Sequence, residues 1–153
     1  MENYNSAITF SSGDPQPGEA IELQVDRVPL SLNDWTRKFW TVRAADAKDW
    51  QQSIFLAFGV RRRQWVHLNG PWFRDPVTVE IHYFVGELAR NGKRTGKHRF
   101  DLDNLVPKHI IDGLTGLLFK DDSCEHIPVL IQYAHRVSGR SYTVVRVYPR
   151  GLD

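Results

Sequence analysis

Asp101, Asp103, Asp112, Asp121 and Asp122 crowd one segment, RFDLDNLVPKHIIDGLTGLLFKDD, spanning residues 99–122. Asp101 and Asp103 stand two apart, so in an extended chain both carboxylates point to the same side. Two such groups about 4 Å apart repel by about 4 kcal/mol at an effective dielectric near 20, and a proton or a cation must relieve that. Oxygen donors of this kind suit Mg²⁺ or Mn²⁺, which keep several waters and bind through a few carboxylates and a substrate phosphate. Taken singly, each aspartate has a plainer use as a helix cap or a solvated charge.

A calcium loop is the rival that the spacing raises, because Asp101, Asp103 and Asp112 occupy its first, third and twelfth positions. It fails in the middle, where Leu105 replaces a ligand and Val106 replaces the turn glycine. His98 and His109 lie near the acids, but no pair of histidines has metal-binding spacing, and the lone Cys124 closes no intrachain disulfide and favours a reducing cytoplasm.

Positive charge gathers just upstream. Arg90, Lys93, Arg94, Lys97, His98 and Arg99 precede the first acids, and Arg61, Arg62 and Arg63 form a second block, although the net charge is only +2. Such runs are either solvated surface or a seat for a polyanion. Trp35 and Trp40 flank Arg37 and Lys38 and suit a nucleic acid, while the tryptophans as a group are core candidates.

The elements that must hold these groups follow from periodicity. Residues 1–20, rich in Ser, Gly, Pro and Asn, read as a loosely ordered extension, and residues 21–153 read as one domain. Ile21, Leu23 and Val25 alternate as a strand, followed by an irregular loop over DRVPLSLND. A helix is predicted over residues 44–63, with Ala47, Trp50, Ile54, Ala57 and Phe58 inward and the arginine block at its C-terminal end, where the helix dipole welcomes it. Val77, Val79, Ile81, Tyr83 and Val85 predict a half-buried strand leading into the basic loop.

In the acidic segment, Asn104 is a candidate N-cap and Pro107 belongs to a first turn. Val106, Ile110, Ile111, Leu114, Leu117 and Leu118 form an apolar stripe, Lys108 and Asp112 share the polar face, and Gly116 ends the helix. PVLIQYAHR and SYTVVRVYP then predict a hairpin turning at Ser138 and Gly139. The mixture points to an α+β or α/β sheet domain with helices packed on it. No stretch reads as a signal peptide, and the apolar run IFLAFGV is too short to cross a bilayer.

Asp101-Leu-Asp103-Asn104, Lys108, Asp112 and the turn Asp121-Asp122-Ser123, together with the early loop PLSLN, resemble the signature of the RusA family of Holliday junction resolvases over roughly residues 21–149. That resemblance implies an α+β (mixed α/β) domain, a mixed sheet with two main helices on it. It also implies a Mg²⁺-dependent, dimeric endonuclease, often carried by prophages, that makes paired nicks in four-way DNA during recombination and repair. Position by position, Asp101, Asp103 and Asp122 match the metal-binding catalytic carboxylates, with Asp121 a further metal candidate, and Lys108 matches the catalytic lysine. Three residues separate Asn104 from Lys108 where the resembling pattern has two, so either Pro107 is absorbed in an irregular first turn or the lysine is displaced. Arg90, Lys93, Arg94, Lys97 and Arg99 would hold DNA phosphates. Three readings stay open beside it: a metal nuclease for other branched DNA, a junction-binding protein without turnover, and a basic DNA-binding domain whose aspartates only cap and pair.

Overall fold

The structure, a computed structural model, describes residues 15–88 and 105–152. Strand β1 (Ile21–Val25) is followed by helices α1 (Leu32–Arg37), α2 (Trp40–Phe58) and α3 (Val60–Asn69), then strand β2 (Val77–Leu88). Helix α4 (Lys108–Leu114) and strands β3 (Val129–Arg140) and β4 (Tyr142–Pro149) complete the order. The four strands form one mixed sheet in the order β1-β4-β2-β3, and the fold is a single-domain α+β arrangement.

Alternation built this sheet as the sequence indicates. Val77, Val79, Ile81, Tyr83 and Val85 face one side, where they meet Ile21 and Leu23 of β1, Val145 and Val147 of β4, Trp50, Ile54 and Phe58 of α2, and Ile110 and Leu114 of α4. Each of those fully buried large side chains contributes about 1.5–3 kcal/mol. Strand β2 is not half-buried, however. Thr78, Glu80, His82 and Phe84 on its other face are also buried, because β2 is an interior strand flanked by β4 and β3 and its neighbours' rings close over it.

The predicted hairpin is corrected as well. β3 runs through Ser138 and Gly139, and it pairs parallel to β2, while β4 pairs antiparallel to β2 on the opposite side. The link at Ser141 therefore carries the chain across β2 rather than folding β3 onto β4. It crosses at Gly86, where a Cβ would lie 2.0 Å from the Gly139 carbonyl oxygen and where the Ser141 hydroxyl accepts the Gly86 N–H at 2.9 Å. Ser138 and Gly139 thus form no turn but continue the strand, and the bare backbone at Gly86 makes room for the passing chain.

The long predicted helix breaks in two. Gly59, at φ 94, separates α2 from α3, so Arg61, Arg62 and Arg63 occupy the first turn of α3 and not the end of a helix. No acidic residue accompanies them there, and each like charge at a positive helix pole costs about 0.3–1 kcal/mol. Arg63 offsets this in part by lying over the Phe55 ring at 3.9 Å, and Arg62 lies over Phe58 at 5.8 Å. Within the predicted irregular loop, α1 begins at Leu32 because Ser31 caps it: the Ser31 hydroxyl accepts the Asp34 N–H at 3.2 Å and donates to the Asp34 carboxylate at 2.9 Å.

Candidate functional site

β2, α4 and β3 make a strand–helix–strand unit, since β2 and β3 are parallel, and the acidic segment lies in its crossover. In such sheets the loop leaving a parallel strand is where ligands are met. Asp101, Asp103, Asn104 and the basic residues Arg90, Lys93, Arg94, Lys97 and Arg99 all lie outside the described residues. The structure does describe what flanks them. Leu105, immediately after Asn104, bridges Ser31, so the PLSLN loop is tied to the chain leaving the D-L-D-N stretch.

Pro107 takes the N-cap place of α4 at φ −79 and ψ −3, and its carbonyl accepts the Ile111 N–H at 3.0 Å. The helix thus starts at Lys108 and not after Asn104. His109, Ile110, Gly113 and Leu114 form the buried face, with Lys108 and Asp112 outward. Lys108 Nζ meets Asp112 at 3.3 Å; both are largely exposed, so the pair is worth well under about 1 kcal/mol and leaves the ammonium available. Gly113 permits the close contact with α2, since a Cβ there would sit 2.6 Å from the Ile54 methyl.

With 7 residues, α4 rises only about 10 Å, about half the length the apolar stripe suggested. On the far flank the two neighbouring aspartates have different employments. Asp121 accepts the Ser123 N–H at 2.9 Å and meets His126 Nδ1 at 3.0 Å, and the Ser123 hydroxyl, then the Ser123 N–H and His126, hold its carboxyl below the usual carboxylate range. Asp122 is exposed, and none of the described residues bonds to it. An uncommitted carboxylate fits a hard divalent cation, whose ligands are oxygens. Among the described residues, no group of three acids, histidines or cysteines is placed to hold a metal.

Two groupings escaped the sequence reading. His109, set aside as a lone histidine, faces Asp46 of α2 at 3.7 Å, and Asp46 is bonded to Arg27 at 2.5 Å, which in turn stacks over Trp50 at 4.5 Å. This cluster fastens the start of α4 to α2 and to the chain leaving β1. Asp46 precedes Trp50, Ile54 and Phe58 at intervals of four, which was a readable signal that it points inward. On the sheet's other face, Glu80 bonds His82 at 2.5 Å and Tyr148 at 3.0 Å, and His82 bonds His135 at 2.9 Å. Burial lowers the His82 pKa against the raising influence of Glu80, so the imidazole is neutral near neutral pH and the contact is a hydrogen bond. Only the parallel register of β2 and β3 brings His135 there.

The expectation of buried tryptophans holds for Trp50 and Trp72 and fails for Trp40, which is 73% exposed. Among the described residues, no helix is long and apolar enough to cross a membrane.

No curated protein matches the chain. The family model described as Endodeoxyribonuclease RusA matches residues 31–148, from the Ser31 cap through the acidic crossover to the last strand of the sheet, which is most of the chain. The family's enzymes are Holliday junction endonucleases, generally dependent on divalent metal, and this chain belongs to it.

Proposed function

We propose that the protein is a Mg²⁺-dependent endonuclease, accepting Mn²⁺ as substitute, that resolves four-way junctions by paired symmetric nicks during recombination and repair in the cytoplasm. The observation that carries this reading is Asp122: an exposed carboxylate without a bond to any described residue, in the loop that follows the short helix α4, which Asp101 and Asp103 precede in sequence. Asp101, Asp103 and Asp122 would hold the cation, with Asp121 second in line because Ser123 and His126 already engage it. When bound, the cation lowers the pKa of a coordinated water and offsets charge building on the phosphate.

The chain's own groups do the rest. Lys108, at the first position of α4, would offer its ammonium to the negative charge that grows on the phosphoryl oxygens. The Arg27–Asp46–His109 cluster keeps the helix start, and with it Lys108, at a fixed distance from α2. Arg90, Lys93, Arg94, Lys97 and Arg99 would take neighbouring phosphates, so that the acidic pocket does not repel the backbone it must approach. Two copies related by a two-fold axis would present two such pockets to the two equivalent strands of a junction.

The test uses purified protein and a synthetic four-way junction. With Mg²⁺ the wild type should nick it symmetrically and leave linear duplex largely intact, and chelation should stop cleavage. Asp122→Asn should bind the junction with near wild-type affinity and cut it on the order of 100-fold more slowly or less. Binding without cleavage by the wild type, in Mg²⁺ and in Mn²⁺ alike, would leave a junction-binding module in place of the enzyme.

A further inference from the structure

The corner between α1 and α2 breaks local rules without a structural return. Phe39 takes the N-cap place of α2, in extended conformation at φ −61 and ψ 151, where a serine, threonine, aspartate or asparagine would satisfy the orphan N–H groups, and it makes no side-chain cap bond. Its ring is 81% exposed, and that of Trp40, the first helical residue, is 73% exposed. No acidic residue stands in the first turn. Arg37 and Lys38 directly precede the pair, both exposed. A chain that leaves two aromatic rings in water, beside cations and at the positive pole of a 19-residue helix, breaks local preference as functional sites do.

The position of the corner says what the function is. Ser31 caps α1 and also bridges Leu105, the residue after D-L-D-N. Helix α1 has 6 residues and rises about 9 Å, and the two chain steps from Arg37 to Phe39 add at most about 7 Å, so Phe39 stands within about five stacked nucleotides, at about 3.4 Å each, of Ser31. Resting on the reading of the protein as a junction nuclease, we propose that Phe39 and Trp40 form a stacking platform for unstacked bases at the branch point, with Arg37 and Lys38 taking the adjoining phosphates. Base-on-ring stacking tolerates any sequence, because every base has a π face, and a branch point is where bases are free to leave their own stack. Linear duplex offers no such base, so the platform would add affinity for branched DNA alone.

Photocrosslinking tests this directly. A four-way junction carrying 5-iododeoxyuridine at the branch point is irradiated with Asp122→Asn protein, which binds without cutting, and the crosslinked residue is mapped by mass spectrometry. Crosslinks at Phe39 or Trp40 are expected, and none when the label sits far along an arm. In parallel, Phe39→Ser with Trp40→Ser should lower junction affinity on the order of 10-fold and leave linear-duplex affinity unchanged, while Trp40→Phe should keep most of it. Both side chains are exposed, so circular dichroism should report an unaltered fold. Crosslinks confined to other residues, or wild-type junction affinity in the double variant, would overturn the platform while leaving the nuclease reading intact. A double variant that changes oligomeric size in solution instead would assign the corner to self-association and overturn it too. Failure of the wild type to bind or cut junctions would remove the nuclease reading itself.

Discussion

Asp121 and Asp122 are neighbours of one chemistry and two fates. Hydrogen bonds from Ser123 and His126 favour the ionised Asp121 carboxyl, so its pKa lies below the ordinary range. A depressed carboxyl pKa means that the turn gains from ionisation at pH above that range and loses the gain only as pH falls through the lowered value. Carbon NMR titration should therefore place the Asp121 midpoint below that of an unperturbed aspartate, and Ser123→Ala should move it back up; an unmoved midpoint would show that the turn does not restrain this carboxyl. The D-L-D-N stretch, Lys108 and the D-D turn stand out in the sequence because each is a local pattern of residue types. The division of labour between Asp121 and Asp122 was not, since it depends on where His126 folds back. The Asp46–His109 contact was hidden for the same reason, as it joins two helices far apart in the chain.

Strand β2 shows where pattern reading at the level of elements succeeds and where it stops. Alternation identified Val77 to Val85 correctly as a core-facing row, yet the opposite row looked solvated because Glu80 and His82 are polar. Neighbours on both sides make that row an interior one, and no single-strand pattern reports neighbours. The consequence is a pH dependence. Burial depresses the His82 pKa, so the sheet is most stable above the histidine's ordinary value and loses stability as acid forces a proton onto the buried ring. Thermal melting followed from about pH 7 to about pH 5 should show a falling midpoint, and His82→Gln, which can still donate to Glu80, should flatten the curve. An equal fall in the variant would place the sensitivity elsewhere. The second element-level test concerns the crossing at Gly86, where a methyl group would strike backbone and not a yielding side chain. Gly86→Ala should cost about 1–3 kcal/mol in urea unfolding, a cost absent from Gly139→Ala, whose Cβ meets nothing within 4 Å. If both variants unfold alike, the chain does not cross where the sheet order requires.

At the scale of the whole molecule, 20 basic against 18 acidic side chains leave almost no net attraction for DNA, so on the proposed reading a junction would be gripped by placed charge and by symmetry. One chain carries one acidic crossover, between β2 and β3. A four-way junction presents two equivalent strands related by a two-fold axis, and symmetric resolution therefore needs two chains in that relation. Wild-type chains combined with a large excess of Asp122→Asn chains should pair mostly as heterodimers, each holding one active and one silent crossover. Such dimers should bind the junction as the wild type does but release it nicked in a single strand, with linear duplex products suppressed in proportion to the excess. On a supercoiled cruciform the same mixture should yield open circles where the wild type yields linear molecules. Were linear products to persist at high excess, one chain would be cutting both strands in turn, and the two-fold arrangement would have no part in resolution.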